Sequence, residues 1–463
     1  RAQCLRELRS RAGDRYWLLA TLGEAALIAR DWTQADEYYA QAAQIVGRRF
    51  GDLQASRRNA RLLLDYWQTD RPEIEKALRI PPVLVFAGHM IDQRARLTAR
   101  FPARAEAAVA RAMREQITRL GAASGYASAA CGADILFLEA MLAAGGQVVV
   151  VLPYQKEQFF ADSYAGRPAV AKWRARCERV LAQAKRIVVA SNQLLEIGGV
   201  SYDYANQIIL GLACIRARQW ETSVAGLAVW DRQEGDGPGG TSSAVQRWQA
   251  LDLPVEIIDL PAQTRGLLPR RRKLPSRRRP RRPQVASNIM AMLFADAVSF
   301  TKLQEHETPL FVRHFLGEIS RLIAAARRQI VARNTWGDGI YLVFPSVRDA
   351  GRFALALSEM VGRIRWERRG LPAALNLRIG VHAGPVYACI DPIKQKRDFF
   401  GAHVSRTARI EPITPPGQVY ASEAFAALAA AQGVTDLTFE YAGQVPMPKG
   451  YGTFPMYHVT RRD

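Results

Sequence analysis

The chain has no CxxC pair, no HExxH pair and no apolar run near the ~18 residues that a membrane span needs. Its longest apolar stretches, Val148–Leu152 and Ile208–Ile215, suit buried elements of a soluble protein. Five cysteines (Cys4, Cys131, Cys177, Cys214 and Cys389) are scattered and odd in number. That pattern argues against a disulfide framework and a structural zinc site and fits a cytoplasmic, reducing setting. The six histidines show no ligand spacing, which argues against a histidine-bound metal. A secretory signal is missing, and the chain opens on Arg1 rather than methionine, as a piece of a longer protein would.

What is present is length and positive charge. At 463 residues the chain exceeds what one core can hold, and about three domains are expected. The formal charge is +21, but ten positive charges crowd between Arg265 and Arg282 with no acid among them, leaving +11 for the rest. Pro269, Pro275, Pro280 and Pro283 interrupt this run, so residues 262–286 read as a stiff, self-repelling linker. No aromatic residue is interleaved for base stacking, so a tether is the better reading than a nucleic-acid or membrane contact.

Residues 1–78 are helical by period. Small and bulky residues alternate from Leu22-Gly23 through Ala26, Ala35, Tyr39 and Ala42, as where one helix nests against the next. The segment resembles a tetratricopeptide repeat. That resemblance implies further repeats and a face for a protein partner.

From Pro81-Pro82 the pattern changes to strands alternating with helices: Val83–Ala87, a helix over Ala103–Leu120, another opened by Ala129–Asp134, then strands at Gln147–Leu152, Arg186–Ala190 and Gly226–Trp230. Such alternation predicts a parallel sheet with ligands outside the strand C-termini. Gly88, Gly132, Gly239, Gly240 and Thr241 fall at that edge, where backbone amides can hold phosphate; simple turn geometry explains them equally. Asp134 and Glu139 read as ligand contacts, or as a helix N-terminal charge and a solvated face. Residues 81–260 resemble the SLOG superfamily of Rossmann-like proteins, which implies a nucleotide-type ligand.

The C-terminal segment, 288–463, carries the chemistry. Phe294–Thr301 and Trp336–Phe344 each set one aspartate, Asp296 and Asp338, beside a hydrophobic strand. Two carboxylates side by side can grip divalent cations over a nucleotide triphosphate, although an aspartate in an Asp-Gly turn is also ordinary turn chemistry. Helical period is expected over Leu310–Ala332 and Arg348–Trp366, and a strand over Leu375–His382 leads to a turn at Gly384. Asp398 precedes a helix starting after Gly401, on which Ser405 and Arg409 share a face; Lys449 lies in a Pro/Gly turn.

Together these five motifs resemble the catalytic domain of class III nucleotidyl cyclases, with an α+β ferredoxin-like fold. The resemblance implies a homodimer that converts a nucleoside triphosphate to a 3′,5′-cyclic nucleotide and pyrophosphate with two Mg²⁺ or Mn²⁺ ions. Asp296, Asp338 and the Ala297 carbonyl match metal contacts. Phe300 and Thr301 match the phosphate-binding turn, Asp398 a base-reading position, Arg409 the transition-state arginine, and Lys449 the triphosphate lysine. Metal and transition-state residues come from opposite subunits. Asn334 replaces the Lys or Glu that reads the purine, which leaves the base open. Ser405 replaces a ribose-orienting asparagine, Ser299 and Cys389 replace glycines. These departures also allow a catalytically weak, nucleotide-binding sensor or scaffold.

Overall fold

The computed structural model describes residues 2–10, 13–94, 96, 99–192, 198–234, 239–263 and 287–462. Apart from 262 and 263, the expected basic linker lies outside the described residues.

The N-terminal segment is helical, as its period predicted: α1 (Ala2–Ser10), α2 (Arg15–Ile28), α3 (Trp32–Ile45), α4 (Phe50–Tyr66) and α5 (Pro72–Ala77). Asp14 and Asp31 cap α2 and α3 by accepting the amides of Tyr16 and Gln34, the role that short acidic side chains fill at helix starts. The two helices fold back on each other where Gly23 leaves room for the Tyr39 ring; a Cβ at Gly23 would lie 3.0 Å from it.

The middle segment runs β1 (Val83–Gly88), α6 (Glu106–Leu120), β2 (Ser124–Ala127), α7 (Ala133–Ala143), β3 (Gln147–Leu152), α8 (Lys156–Ser163), α9 (Val170–Gln183), β4 (Arg186–Val189), α10 (Gly198–Gln219), β5 (Val224–Trp230), α11 (Thr241–Ala250), β6 (Val255–Asp259) and α12 (Leu260–Gln263). All neighbours in its six-stranded sheet pair in parallel, in the order β4-β3-β2-β1-β5-β6. Strands β2 and β6 were not anticipated, because Ser-Gly-Tyr-Ala and Val-Glu-Ile-Ile-Asp lack the apolar run of the other strands. Alternate residues of β1 feed two cores: Leu84 and Phe86 one side, Val83 and Val85 the other.

The C-terminal segment contains β7 (Ser287–Val298), α13 (Thr308–Leu310), a π-helical stretch at Phe311–Leu316, α14 (Gly317–Ala325), β8 (Ala332–Trp336), β9 (Gly339–Phe344), α15 (Val347–Arg363), β10 (Asn376–Asp391), β11 (Lys396–Phe400), α16 (Ala402–Thr407), β12 (Val419–Ser422), α17 (Glu423–Ala431), β13 (Leu437–Met447) and β14 (Gly452–Arg461). Its sheet is ordered β13-β14-β12-β10-β7-β9-β8, with β11 on β10; only β10 and β12 are parallel. Two expectations are corrected. The helix predicted to Ala332 stops at Ala325, since Ala332 already opens β8. Gly384 makes no turn: β10 runs straight through it, and the missing side chain makes room for His403, whose Nδ1 lies 2.2 Å from where a Cβ would sit.

Helix α10 joins the three segments. Arg57 of α4 donates to the carbonyls of Trp220 and Glu221 just past its C-terminus (2.9 and 2.6 Å). Tyr204 donates its hydroxyl to Ala383 O in β10 at 2.8 Å, and Arg186 makes a two-pronged pair with Glu423 at the head of α17. At the α10–α17 crossing an added Cβ on Gly211 would stand 1.9 Å from Ala427 O. Gly211→Val is therefore expected to destabilise the chain by about 1–3 kcal/mol through overpacking. A lowered urea midpoint checks this, with Gly317→Ala as a control, because a Cβ at Gly317 meets nothing within 4 Å.

Candidate active site

Asp296 sits two residues before the end of β7, and Asp338 in the tight turn between β8 and β9, where Gly337 takes a left-handed φ of 67°. Because β7 pairs with β9, the turn folds over the end of β7; the Cβ position of Gly339 lies 3.9 Å from Asp296 Oδ1. Burial first, and the charge and hydrogen bonding of Asp338 next, push the Asp296 carboxyl up to about 6. Arg378, its register partner on β10, works in the opposite direction.

A third carboxylate joins them. Glu411 follows α16 in a short 3₁₀ turn, and its Oε1 is buried without a hydrogen-bond partner. Burial, then the charge of Asp296, raise it to about 7, with Asp338 adding a smaller push. Sequence reasoning missed Glu411, although it stands two residues after Arg409. Hard oxygen donors, mutual repulsion and an orphan buried acid fit a Mg²⁺- or Mn²⁺-type cation, whose open coordination leaves room for water and phosphate oxygens. Among the described residues no cluster of three or more His, Cys, Asp or Glu side chains closes round a metal by itself. Any remaining ligands would be backbone or substrate oxygens.

Beyond β7, Ser299 adopts φ 70°, the left-handed region where a non-glycine residue costs ~1–2 kcal/mol, and this turns the chain into the 3₁₀ segment Phe300–Lys302. Phe300 packs on Phe311 at 4.9 Å between centroids, Thr301 is exposed, and Ala297 is buried in β7.

The remaining predicted residues form a second group. Asn334 on β8 donates to Asp398 on β11 at 2.7 Å. Lys394, which sequence reasoning did not single out, donates to Asn334 Oδ1 at 3.0 Å and Asp398 Oδ2 at 3.3 Å. Arg409 lies past the C-cap of α16 and not on it, which corrects the expected shared helix face with Ser405. Its guanidinium folds back to donate to Ser405 O at 2.7 Å and lies 4.3 Å over the Tyr451 ring. Lys449, at φ 60°, is exposed in the turn beside Tyr451.

In the middle segment, the chain order reverses between β1 and β5, and a cavity of about 340 Å³ opens at the C-terminal ends of those strands. Gly88, Asp134, Gly239, Gly240 and Thr241 line it. Gly132 is held by a β-bridge to Met90. Asp134 is buried, raised to about 7 by that burial, and accepts the Ala130 amide at 3.0 Å. Glu139 pairs with Arg176 and belongs to the helix packing.

A carboxylate pair at one end of a mostly antiparallel sheet, with a polar group and an arginine on neighbouring elements, can serve phosphate chemistry. More narrowly, residues 283–461 match the family of the adenylate and guanylate cyclase catalytic domain, and this C-terminal part is a class III cyclase domain. Putative adenylate cyclase 3 of Rhizobium meliloti is 28% identical over 165 residues, covering 34% of this chain and 26% of that protein. Receptor-type guanylate cyclase gcy-6 of Caenorhabditis elegans is 26% identical over 186 residues, covering 38% and 17%. The chain thus spans about a quarter or less of these relatives. The adenylyl cyclase CyaB of P. aeruginosa superimposes with a TM-score of 0.34 and 18% identity over 38% of this chain and 96% of that one.

The acid pair gives a pH test. Asp296 is raised above its ordinary 3.8, so its ionised form is the disfavoured one in the folded chain. That cost is absent below about pH 4, grows as pH rises towards 6 and is complete above it. In a chelator, Asp296→Asn is expected to be more stable than the parent by about 1 kcal/mol at pH 7.5, after allowance for solvent screening, and equal to it near pH 4. Thermal melts at both values check this.

Proposed function

We propose that the C-terminal domain is a nucleotidyl cyclase working as a homodimer. The observation that carries this reading is the Asp296/Asp338 pair, two acids crowded together at a cost that a bound cation would remove. The 3′-oxygen of a nucleoside triphosphate bonds to the α-phosphorus while the bond from that phosphorus to the bridging oxygen of the β-phosphate breaks. The hydroxyl proton leaves to solvent and pyrophosphate departs. Two Mg²⁺ or Mn²⁺ ions, when bound, would lower the pKa of that hydroxyl and neutralise the phosphates.

Asp296, Asp338 and the Ala297 carbonyl hold the ions, and Phe300 and Thr301 place the phosphates at the turn after β7. Arg409 offers its forked donors to charge growing on the transferring group, Ser405 orients the ribose, and Lys449 reaches the triphosphate. Within one chain Arg409 is turned onto Ser405 and Tyr451, which supports its delivery to a partner's carboxylates. Exposed Trp336, Ile390, Ile393 and Phe400 around the β8–β9 and β10–β11 hairpins supply an apolar face for that partner.

The preceding segments regulate this domain from a cytoplasmic setting. The helical segment, as a tetratricopeptide-like repeat, offers a protein-binding face. The β1/β5 cavity, as in SLOG-like folds, takes a nucleotide-type ligand. Helix α10 supports such a link: Tyr202 and Asn206 line the cavity, while Tyr204 bonds to Ala383 of the cyclase sheet.

The test is purified full chain with Mn²⁺ or Mg²⁺ and each of ATP, GTP, CTP and UTP, assayed for cyclic product. Asp296→Asn and Arg409→Ala are each expected to lower turnover by about 100-fold or more. Mixing the two variants should restore activity, since one of the two sites in a mixed dimer is then intact. Loss of activity in neither variant, or no recovery on mixing with dimers formed, counts against the shared site.

A further inference from the structure

A second cavity, of about 460 Å³, lies between β4, α10 and the C-terminal sheet. Tyr204 and Ile208 of α10 line it, whereas Tyr202 and Asn206 of the same helix line the β1/β5 cavity. Most of its polar groups are already engaged. His382, fully buried, shares Nδ1 with Ser422 Oγ at 2.6 Å and Nε2 with His403 Nδ1 at 2.8 Å. Arg186 and Glu423 neutralise each other through two bonds of 2.6 Å. Arg406 is the exception. Its half-buried guanidinium lies 4.9 Å over the Phe454 ring and 5.8 Å over that of Tyr451. Among the described residues it has no hydrogen bond and no ion pair, although a partly desolvated charge ordinarily finds a partner.

We propose that this cavity binds a small organic anion, a carboxylate or phosphate carried on an apolar body, with Arg406 as its counter-ion. The site goes beyond the cyclase and β1/β5 readings and needs neither. Charge decides the sign of the ligand. Glu423 is the one acid in the lining and is held by Arg186, so the positive charge of Arg406 is left over. The histidines add none: burial, then the charge of Arg406, lower His403 to about 3, and burial, then His403 and Arg406, lower His382 as well. A planar guanidinium fork matches the paired oxygens of a carboxylate or phosphate. Gln444 and Thr453 line the same space with side chains that make no hydrogen bond among the described residues, and can donate to further oxygens. The other walls are apolar, with Met447 and Met456 buried behind them, and the volume exceeds what an inorganic ion fills. Tyr451 ties the site to its surroundings, since the Arg409 guanidinium lies 4.3 Å over the same ring. The anion site and the arginine proposed for the cyclase reaction therefore share a support.

The test is fluorine NMR of the full chain titrated with 4-fluorobenzoate, 4-fluorophenyl phosphate and, as the neutral control, 4-fluorobenzyl alcohol. Neither nucleotide nor metal is added, so the outcome is independent of whether the chain is a cyclase. Both anions are expected to show saturable line broadening and the alcohol none. The tighter of the two tells whether the acid group of the natural ligand is a carboxylate or a phosphate. Arg406→Met is expected to weaken both by at least about 10-fold, as loss of a charged hydrogen-bonding partner does. Should that variant fail to fold, Thr453→Trp decides by the same readout: it changes an exposed position on the cavity wall, leaves the charge in place and fills the space. The proposal is overturned if neither anion binds saturably, if the alcohol binds as well as they do, or if the folded variant keeps the parental affinity.

Discussion

Helix α10 is the constraint on which the arrangement of this chain depends. It has almost no solvent face of its own. Tyr204, Ile208 and Leu212 are buried on the side that meets the C-terminal sheet and α17, and Ala213 and Ala217 are buried as well. The period of 3.6 residues sets Tyr202 and Asn206 on the opposite side, at the cavity of the parallel sheet. A single buried core consequently extends from Tyr16 in the first segment to Val459 in the last. The Ile208–Ile215 run that looked like one more core stretch lies where α10 crosses α17.

In the C-terminal segment, packing is used to hold like charges together. Strand β7 fixes Asp296 through twelve register pairs with β10, and the Gly-Asp-Gly turn gives Asp338 little freedom. Left to themselves the two acids would separate in water. The sheet prevents this and raises Asp296 instead, with Glu411 raised alongside. Crowded acids of this kind support the proposed cation pair, and the stability given up there is a usual companion of function.

The motifs that were legible in the sequence are the local ones. Asp296 and Asp338 could be read because each sits in a short strand-and-turn pattern, and β1, β3 and β5 because buried parallel strands are continuous apolar runs. The misses share a physical reason. Gly384-Pro385 reads as a turn by composition, yet the glycine serves the close approach of His403, a contact set by tertiary packing. Ser405 and Arg409 are four apart, as on a helix face, but α16 ends at Thr407 because Ala408 caps it. Glu411 and Lys394 were overlooked because their importance lies in neighbours 115 and 60 residues away, which no window of sequence displays.

Lys394 also shows how tertiary pairing sets a charge where the identity of one position gives no sign of it. The local chemistry is a set of donors and acceptors in space, and the chain element that supplies each is immaterial. Asn334 gives up the charge expected at its place but keeps a carbonyl that holds Lys394 and an amide that holds Asp398 at 2.7 Å. It acts as the clasp between a cation and an anion that would otherwise sit on separate hairpins. The departure that left the base open in the sequence is thus the same residue that closes the donor–acceptor pair in the fold. Asn334, Lys394 and Asp398 are, on this geometry, parts of one arrangement, each held by the other two.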